Sequence, residues 1–185
     1  MMNTLVVYVE NKPGVLSRVV SLFRRRNFNI DSLTVGRTEK PDVSRMTIVV
    51  EGDSDQVLRI VANVYKLVNV LLVDDITSKP ALIRDLALIK VNAPQATRSQ
   101  ILDIAQVFKA RVLDIAMESI TVEMTGGEEK VDRLLEILTP FGLLEVVRTG
   151  AVAMRRGKTT VVPASSQASE PTKVRVHDPS VSYSV

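Results

Sequence analysis

One apolar pattern runs through this 185-residue chain twice, and it restricts the fold more than any other feature. A short β-rich run, TLVVYVE (4–10), precedes Leu16, Val19, Val20 and Phe23. Their i, i+3, i+4, i+7 spacing is the stripe of an amphipathic helix. Two further strand-like runs follow, IDSLTVGRT (30–38) and SRMTIVVEG (44–52), joined by EKPDV, where Lys40-Pro41 disfavours helix. Val57, Ile60, Val61 and Val64 then repeat the helical stripe, and VLLVDDI (70–76) reads as a strand.

The second pass begins after SKPALIRD (78–85), which its proline and its break in period mark as a linker. LALIKVNA (86–93) is a strand. Thr97-Arg98-Ser99-Gln100 fits a capping box at a helix start, with Ile101, Ile104, Ala105 and Phe108 as the stripe. RVLDIAMES and ITVEMTG are strands. Val131, Leu134, Leu135 and Leu138 form a fourth stripe, stopped by Pro140 and Gly142, and LLEVVRTGAVAMR (143–155) reads as the last strand. Pro13 suits a first helical turn and Asn27 the left-handed position after a last one.

Each half is therefore a βαββαβ unit of about 75 residues, the size of a split-βαβ, ferredoxin-like sandwich. The predicted fold class is α+β: two such units, each an antiparallel sheet with both helices on one face and the other face open. The expected division is 1–77, a linker 78–85, a second unit 86–157 and a tail 158–185. Units this small bury little surface and expose sheet edges, so the first is expected to dimerise edge to edge or face to face.

Charge and composition exclude several functions. The net charge is +3. From Arg148 onward six basic residues face two acidic ones, which leaves 18 basic and 19 acidic residues in 1–147. A near-neutral body with a basic tail lacks the charged folded face of a nucleic-acid binder. RNA-binding domains of this topology stack bases on central-strand aromatics. Here those strands carry Tyr8 alone, and no partnership with nucleic acid is expected. The tail segment VPASSQASEPTK has no apolar period and reads as disordered. Apolar runs are far shorter than the ~20 residues of a membrane helix, and the N-terminus lacks the layout of a secretory signal. The absence of Cys removes thiol nucleophiles, Cys-zinc sites and iron–sulfur clusters, and fits a reducing, cytoplasmic setting.

No catalytic constellation stands out. The single histidine, His177, lies in the tail. There is no P-loop and no G-x-G-x-x-G. Asp74-Asp75 are strand neighbours that point to opposite faces, a poor metal pair, so no metal site is expected. Arg24-Arg25-Arg26 reads either as a docking patch or as cations complementing the negative end of a helix. One segment, NKPGVLSRV (11–19), has the chemistry of a ligand site. Gly14 falls where a strand hands over to a helix, and the amides of Gly14, Val15 and Leu16 would face outward at the helix's positive end, a carboxylate site. Asn11 and Asn29 could accept from an ammonium. Carboxylate and ammonium beside aliphatic side chains describe an aliphatic amino acid; the alternative is that Pro13-Gly14 is only the turn that starts a helix.

ENKPGVLSRVVSLFRRRNFNIDSLTVG followed by SRMTIVVEGD resembles the ACT domain of the small regulatory subunits of acetolactate synthase (acetohydroxyacid synthase). The likeness covers about residues 1–76, and the second half fits that family's C-terminal domain through VAMRRG. The resemblance implies a subunit without an active site. It would activate a large subunit that uses thiamine diphosphate, FAD and Mg, and would confer feedback inhibition by valine or another branched-chain amino acid. It further implies paired ACT domains with the effector at their interface, held by Asn11, Gly14, Val15 and Leu16 of one protomer and Asn29 and Ile30 of the other. The turn from Thr38 to Arg45 and the C-terminal half are candidate docking surfaces. An ACT-domain amino-acid sensor acting on another enzyme or a transcription factor is the alternative. The tail beyond Arg156-Gly157 departs from the family's pattern.

Overall fold

A computed structural model describes residues 1–157; the expectation of a disordered tail lies outside them. The first unit runs β1 (Met2–Glu10), α1 (Val15–Arg25), β2 (Ile30–Arg37), β3 (Val43–Glu51), α2 (Ser54–Val64) and β4 (Val70–Asp75). Its antiparallel sheet has the order β2-β3-β1-β4. The second unit runs β5 (Ala81–Asn92), α3 (Arg98–Phe108), β6 (Arg111–Ile115), β7 (Ser119–Gly126), α4 (Glu128–Leu138), β8 (Leu143–Arg148) and β9 (Val152–Arg155). Its order is β6-β7-β5-β8, with β9 pairing the start of β5. Both units are ferredoxin-like, and the fold is α+β.

The helical stripes close one core in each unit. Val19 and Phe23 of α1 and Val57, Ile60 and Val64 of α2 pack on Leu5, Val7, Met46, Ile48 and Val50. Ile101, Ala105, Val131, Leu134 and Leu138 do the same on Ala87, Ile89, Val91, Ile120 and Val122. Each buried Val, Leu, Ile, Met or Phe side chain among them contributes about 1.5–3 kcal/mol, and the alanines less. Asn27 adopts φ +57, as its position after α1 requires.

The two sheets differ on their second face. Strands β5 and β7 alternate buried and half-exposed residues over Asp85–Asn92 and Ser119–Met124. By contrast β1 is buried without interruption from Asn3 to Val7, and β3 from Met46 to Val50. The expected open face of the first sheet is thus covered. Its cover is a ribbon made by β9 and residues 81–84, which pair Ala81 with Arg155 through Arg84 with Val152. Ala153 and Ala81 pack with Val6, Tyr8 and Ile76. The Arg45 guanidinium lies 5.7 Å from the Tyr8 ring centroid and donates to the Ala153 carbonyl. Residues 81–85, expected within a linker, therefore begin a strand, because β9 returns to supply their partner.

That return divides what reads as one last strand. The chain turns at Thr149–Ala151, where Gly150 holds φ +79 and a β-carbon would collide with Ser32 Oγ. Ala151 N–H donates to Ser32 Oγ (3.0 Å), and Thr34 Oγ1 donates to the Thr149 carbonyl (3.1 Å). Two smaller expectations also change. Thr97 makes no capping bond to α3; its hydroxyl donates to the Pro94 carbonyl instead. The capping box sits at α2, where Asp53 and Gln56 exchange bonds of 2.8 and 2.9 Å. Pro13 precedes the helix rather than joining its first turn, since Gly14 is the N-cap.

Asp74 fastens the ribbon. Its carboxylate, 7% exposed as a residue, accepts from Arg155 Nε at 2.6 Å and from Lys79 Nζ at 2.9 Å. Burial alone would raise its pKa, but the bonds from Arg155 and then Lys79 outweigh it and hold the carboxyl below its ordinary 3.8. Asp74→Asn should lower the unfolding free energy by about 1–3 kcal/mol, less than a fully buried pair because both cations reach solvent. A depressed folded pKa stabilises above the unfolded value and ceases to as pH falls through the folded one. The gap between wild type and variant in urea unfolding should be constant above about pH 5 and shrink progressively in more acidic buffer.

Candidate ligand site at the start of the first helix

The site begins with how β1 ends. Asn11 N–H donates to the Asp42 carbonyl (2.7 Å) and its side-chain amide to the Pro41 carbonyl (2.9 Å). These bonds tie the loop before α1 to the β2–β3 turn. Glu10 accepts from the Asn69 amide, whose oxygen accepts from Arg18, and pairs with Lys12 at 3.1 Å. The Asn69 bond, then Lys12, holds the Glu10 carboxyl below its ordinary range, so it is anionic at neutral pH. The loop is therefore pinned at both ends while its tip, Lys12–Gly14, stays exposed.

At the tip Gly14 takes φ +80, ψ −6, and helix α1 starts at the next residue. No side chain caps this helix and its first turn carries no acid. Val15 N–H reaches the Lys12 carbonyl only at 3.4 Å. The positive end of α1 thus meets no carboxylate of its own, in contrast to the capped α2. Such an end accepts an external carboxylate. Nothing lies within 4 Å of where a Gly14 β-carbon would stand, so the space in front of it is open.

The side chains divide by role. Val15 is 3% exposed and belongs to the core, so only its amide can serve a ligand. Leu16 is at the surface. Asn29 is exposed and Ile30 half-buried. The chain brings Asn11, Gly14, Val15 and Leu16 together but not Asn29 and Ile30. Register places Ile30 opposite Val50, which pairs Asn3; Glu10, beside Asn11, pairs Val43 at the other end. Seven residues of strand separate these ends by about 23 Å. Within one chain the six residues therefore form two groups.

Strand β2 is the edge of its sheet and exposes its outer half. Its Arg37 end aligns with Ser44 and Val9, the end at which the Gly14 loop stands. An antiparallel β2–β2 pair between two copies would bring the partner's strand start to this end.

Sequence reading missed a second group. A cleft of about 500 Å³ between the units is lined by Ser32, Asp85, Arg148 and Thr149 among others. Arg148 bridges Asp85 and Asp132, each at 2.6 Å. Burial opposes the Arg148 charge, and those two bonds outweigh it, so its pKa rises. These partners are distant in sequence, and no local pattern announces them. Among the described residues no group of three or more His, Cys, Asp or Glu is placed to hold a metal, and no helix is long and apolar enough to cross a membrane.

Because Gly14 has open space but a left-handed backbone, Gly14→Ala should cost about 1–2 kcal/mol from conformation alone. Gly14→Asn should cost less, since Asn tolerates that region. Equal urea midpoints for Ala and Asn would contradict this account.

Known proteins resemble the chain along both units. Residues 5–72 match the family model described as "AHAS small subunit-like ACT domain", and residues 84–157 match "Small subunit of acetolactate synthase". A probable acetolactate synthase small subunit of Archaeoglobus fulgidus is 48% identical over 157 residues, covering 85% of this chain and 98% of its own. The acetolactate synthase small subunit of Mycobacterium leprae is also 48% identical, over 84% of this chain and 92% of its own. The crystal structure of the acetolactate synthase small subunit from Thermotoga maritima superposes with a TM-score of 0.80 at 35% identity, over 86% of this chain and 99% of that one.

Proposed function

This chain belongs to the family of acetolactate synthase small subunits, and from that premise we propose that it is a non-catalytic regulator that activates the large subunit and makes it sensitive to valine. The partner is the thiamine-diphosphate-dependent large subunit, with its FAD and Mg, in the cytoplasm. The reading rests above all on the uncapped, acid-free start of α1 behind Gly14. Amides there take the carboxylate of a small zwitterion, and the close approach is to backbone rather than side chain. Two copies pair through β2, so that Asn29 and Ile30 of the partner subunit meet Asn11, Gly14, Val15 and Leu16. The asparagines orient the ammonium and the aliphatic side chains meet the isopropyl group.

Valine then acts by differential affinity. It favours one arrangement of the paired domains, and it shifts the large subunit only as far as its affinities for two arrangements differ. Coupling of ~1–3 kcal/mol, or ~5–150-fold, is the ordinary range.

Reconstitution with a cognate large subunit, assayed for acetolactate with and without valine, tests the proposal. Gly14→Asp places a negative charge where the carboxylate lies, so activation should persist and valine inhibition should vanish. Gly14→Asn, equal in bulk but neutral, should retain part of the inhibition. A Gly14→Asp enzyme that valine inhibits as fully as wild type would show that the site lies elsewhere. Asn29→His should weaken valine at least tenfold by calorimetry on the small subunit alone, a loss of about 1.4 kcal/mol; an unchanged affinity would remove Asn29 from the site.

A further inference from the structure

Charge is segregated within the first unit. Residues 11–30 and 56–72 contain seven cations (Lys12, Arg18, Arg24, Arg25, Arg26, Arg59, Lys66) and no acidic residue. Residues 1–147 hold 18 basic and 19 acidic residues, so what remains of that body carries −8. All seven cations lie on α1, α2 and their flanking loops, on one side of the sheet; the acids of that layer, Asp53 and Asp55, are confined to the start of α2. A groove of about 430 Å³ runs between these helices, lined by Arg18, Arg25, Arg26 and Lys66 over Leu22 and Leu67. Among the described residues Arg25, Arg26 and Lys66 meet no carboxylate. On the outer face of α2, Leu58 and Tyr65 are 66% and 45% exposed. They stand seven residues apart, two turns along one face.

Cations at the C-terminal end of α1 complement its dipole, but that does not explain four around one groove or the apolar side chains beside them. Other surfaces of this unit already have partners, the β4 edge of the sheet excepted. The helices cover one face of the sheet, the β5–β9 ribbon covers the other, and β2 is the edge given to a second copy in the proposed function. Beside the β4 edge, which ends in the acidic Asp74 and Asp75, what is left is the outward side of the helix layer, where the cations lie. Solvated cations each contribute little to a single pair, too little to hold a small anion. Spread over a protein interface they act together, steering an acidic surface into register and speeding association. Arginine and tyrosine are also the residues on which interfaces concentrate their binding.

We infer that the outer face of α1 and α2, centred on Arg25, Arg26 and Lys66, docks an acidic surface of the large subunit. This rests on the proposed partnership and names the surface that carries it. The turn at Thr38–Arg45 is then secondary, since its Asn11 bonds commit it to the effector loop.

The test mixes the full chain with a cognate large subunit and measures affinity by ultracentrifugation at 0.1 M and 1 M salt, where the Debye length falls from about 10 to about 3 Å. The wild-type complex should weaken as salt rises. The triple variant Arg25→Glu, Arg26→Glu, Lys66→Glu should bind about 10- to 100-fold more weakly at 0.1 M, with a smaller difference at 1 M. The matching Gln variant should lose less, in the same direction, without risk of a misfolded helix. Calorimetric valine affinity and the thermal midpoint of the free variants should match wild type. As a control, reversing Lys109, Lys130 and Arg133 in the second unit should leave the affinity intact. The assignment is overturned if the first-unit variants bind as wild type, or if the control reversal does equal harm. Should the wild-type chain bind no large subunit at all, the partnership itself is wrong and the docking surface goes with it.

Discussion

Double-sided burial of β1 and β3 is the constraint from which the rest of the architecture follows. Leu5 and Val7 point into the core under the helices, while Val6 lies against Ala153 on the other side. A half-solvated sheet alternates, as β5 and β7 do. A sheet apolar on both faces must be covered twice, and here the second cover is the ribbon of residues 81–84 and β9. Gly150 turns β9 back, Asp74 and Arg45 fasten it, and the start of β5 becomes its partner. The second unit is therefore attached to the first by a shared ribbon rather than by a free tether.

That attachment bears on regulation. The turn at Thr149–Ala151 holds Ser32 and Thr34. Both lie on β2, two to four residues beyond Ile30. The same strand is the free edge of its sheet. A shift of β2 would thus be felt directly by the second unit, through two hydrogen bonds and a glycine with no room for a side chain. The loop at the other end, by contrast, is pinned by backbone bonds that leave the amides of α1 uncovered.

Electrostatics sorts the surface in the same way. The pairs Arg155–Asp74 and Arg148–Asp85 are partly shielded from water and serve cohesion within the chain. Arg25, Arg26 and Lys66 of the first helix layer are solvated and meet no carboxylate among the described residues, which suits recognition better than stability.

How much of this the chain announces depends on the range of the interaction. All four helices, the strand sequence of the first unit, the left-handed Asn27 and the special place of Gly14 are legible because they rest on neighbours within a turn or two. Continuous apolar character in LVVYV also contained a signal of two-sided burial that a period-two reading passes over. The Asp53-x-x-Gln56 capping box of α2 is also a local signal, missed rather than hidden, whereas the ribbon, the split at Gly150 and the Asp74 and Arg148 pairs depend on geometry that residues acquire only once packed. So does the separation of Asn11 from Asn29: sequence places both at strand ends, and only strand register decides that they are opposite ends. Local hydrogen bonding and apolar period act over a few residues and so are written in order along the chain. Contacts between residues 63 to 119 positions apart are decided by packing, where a glycine's missing side chain and a buried carboxylate's need for a partner select one arrangement.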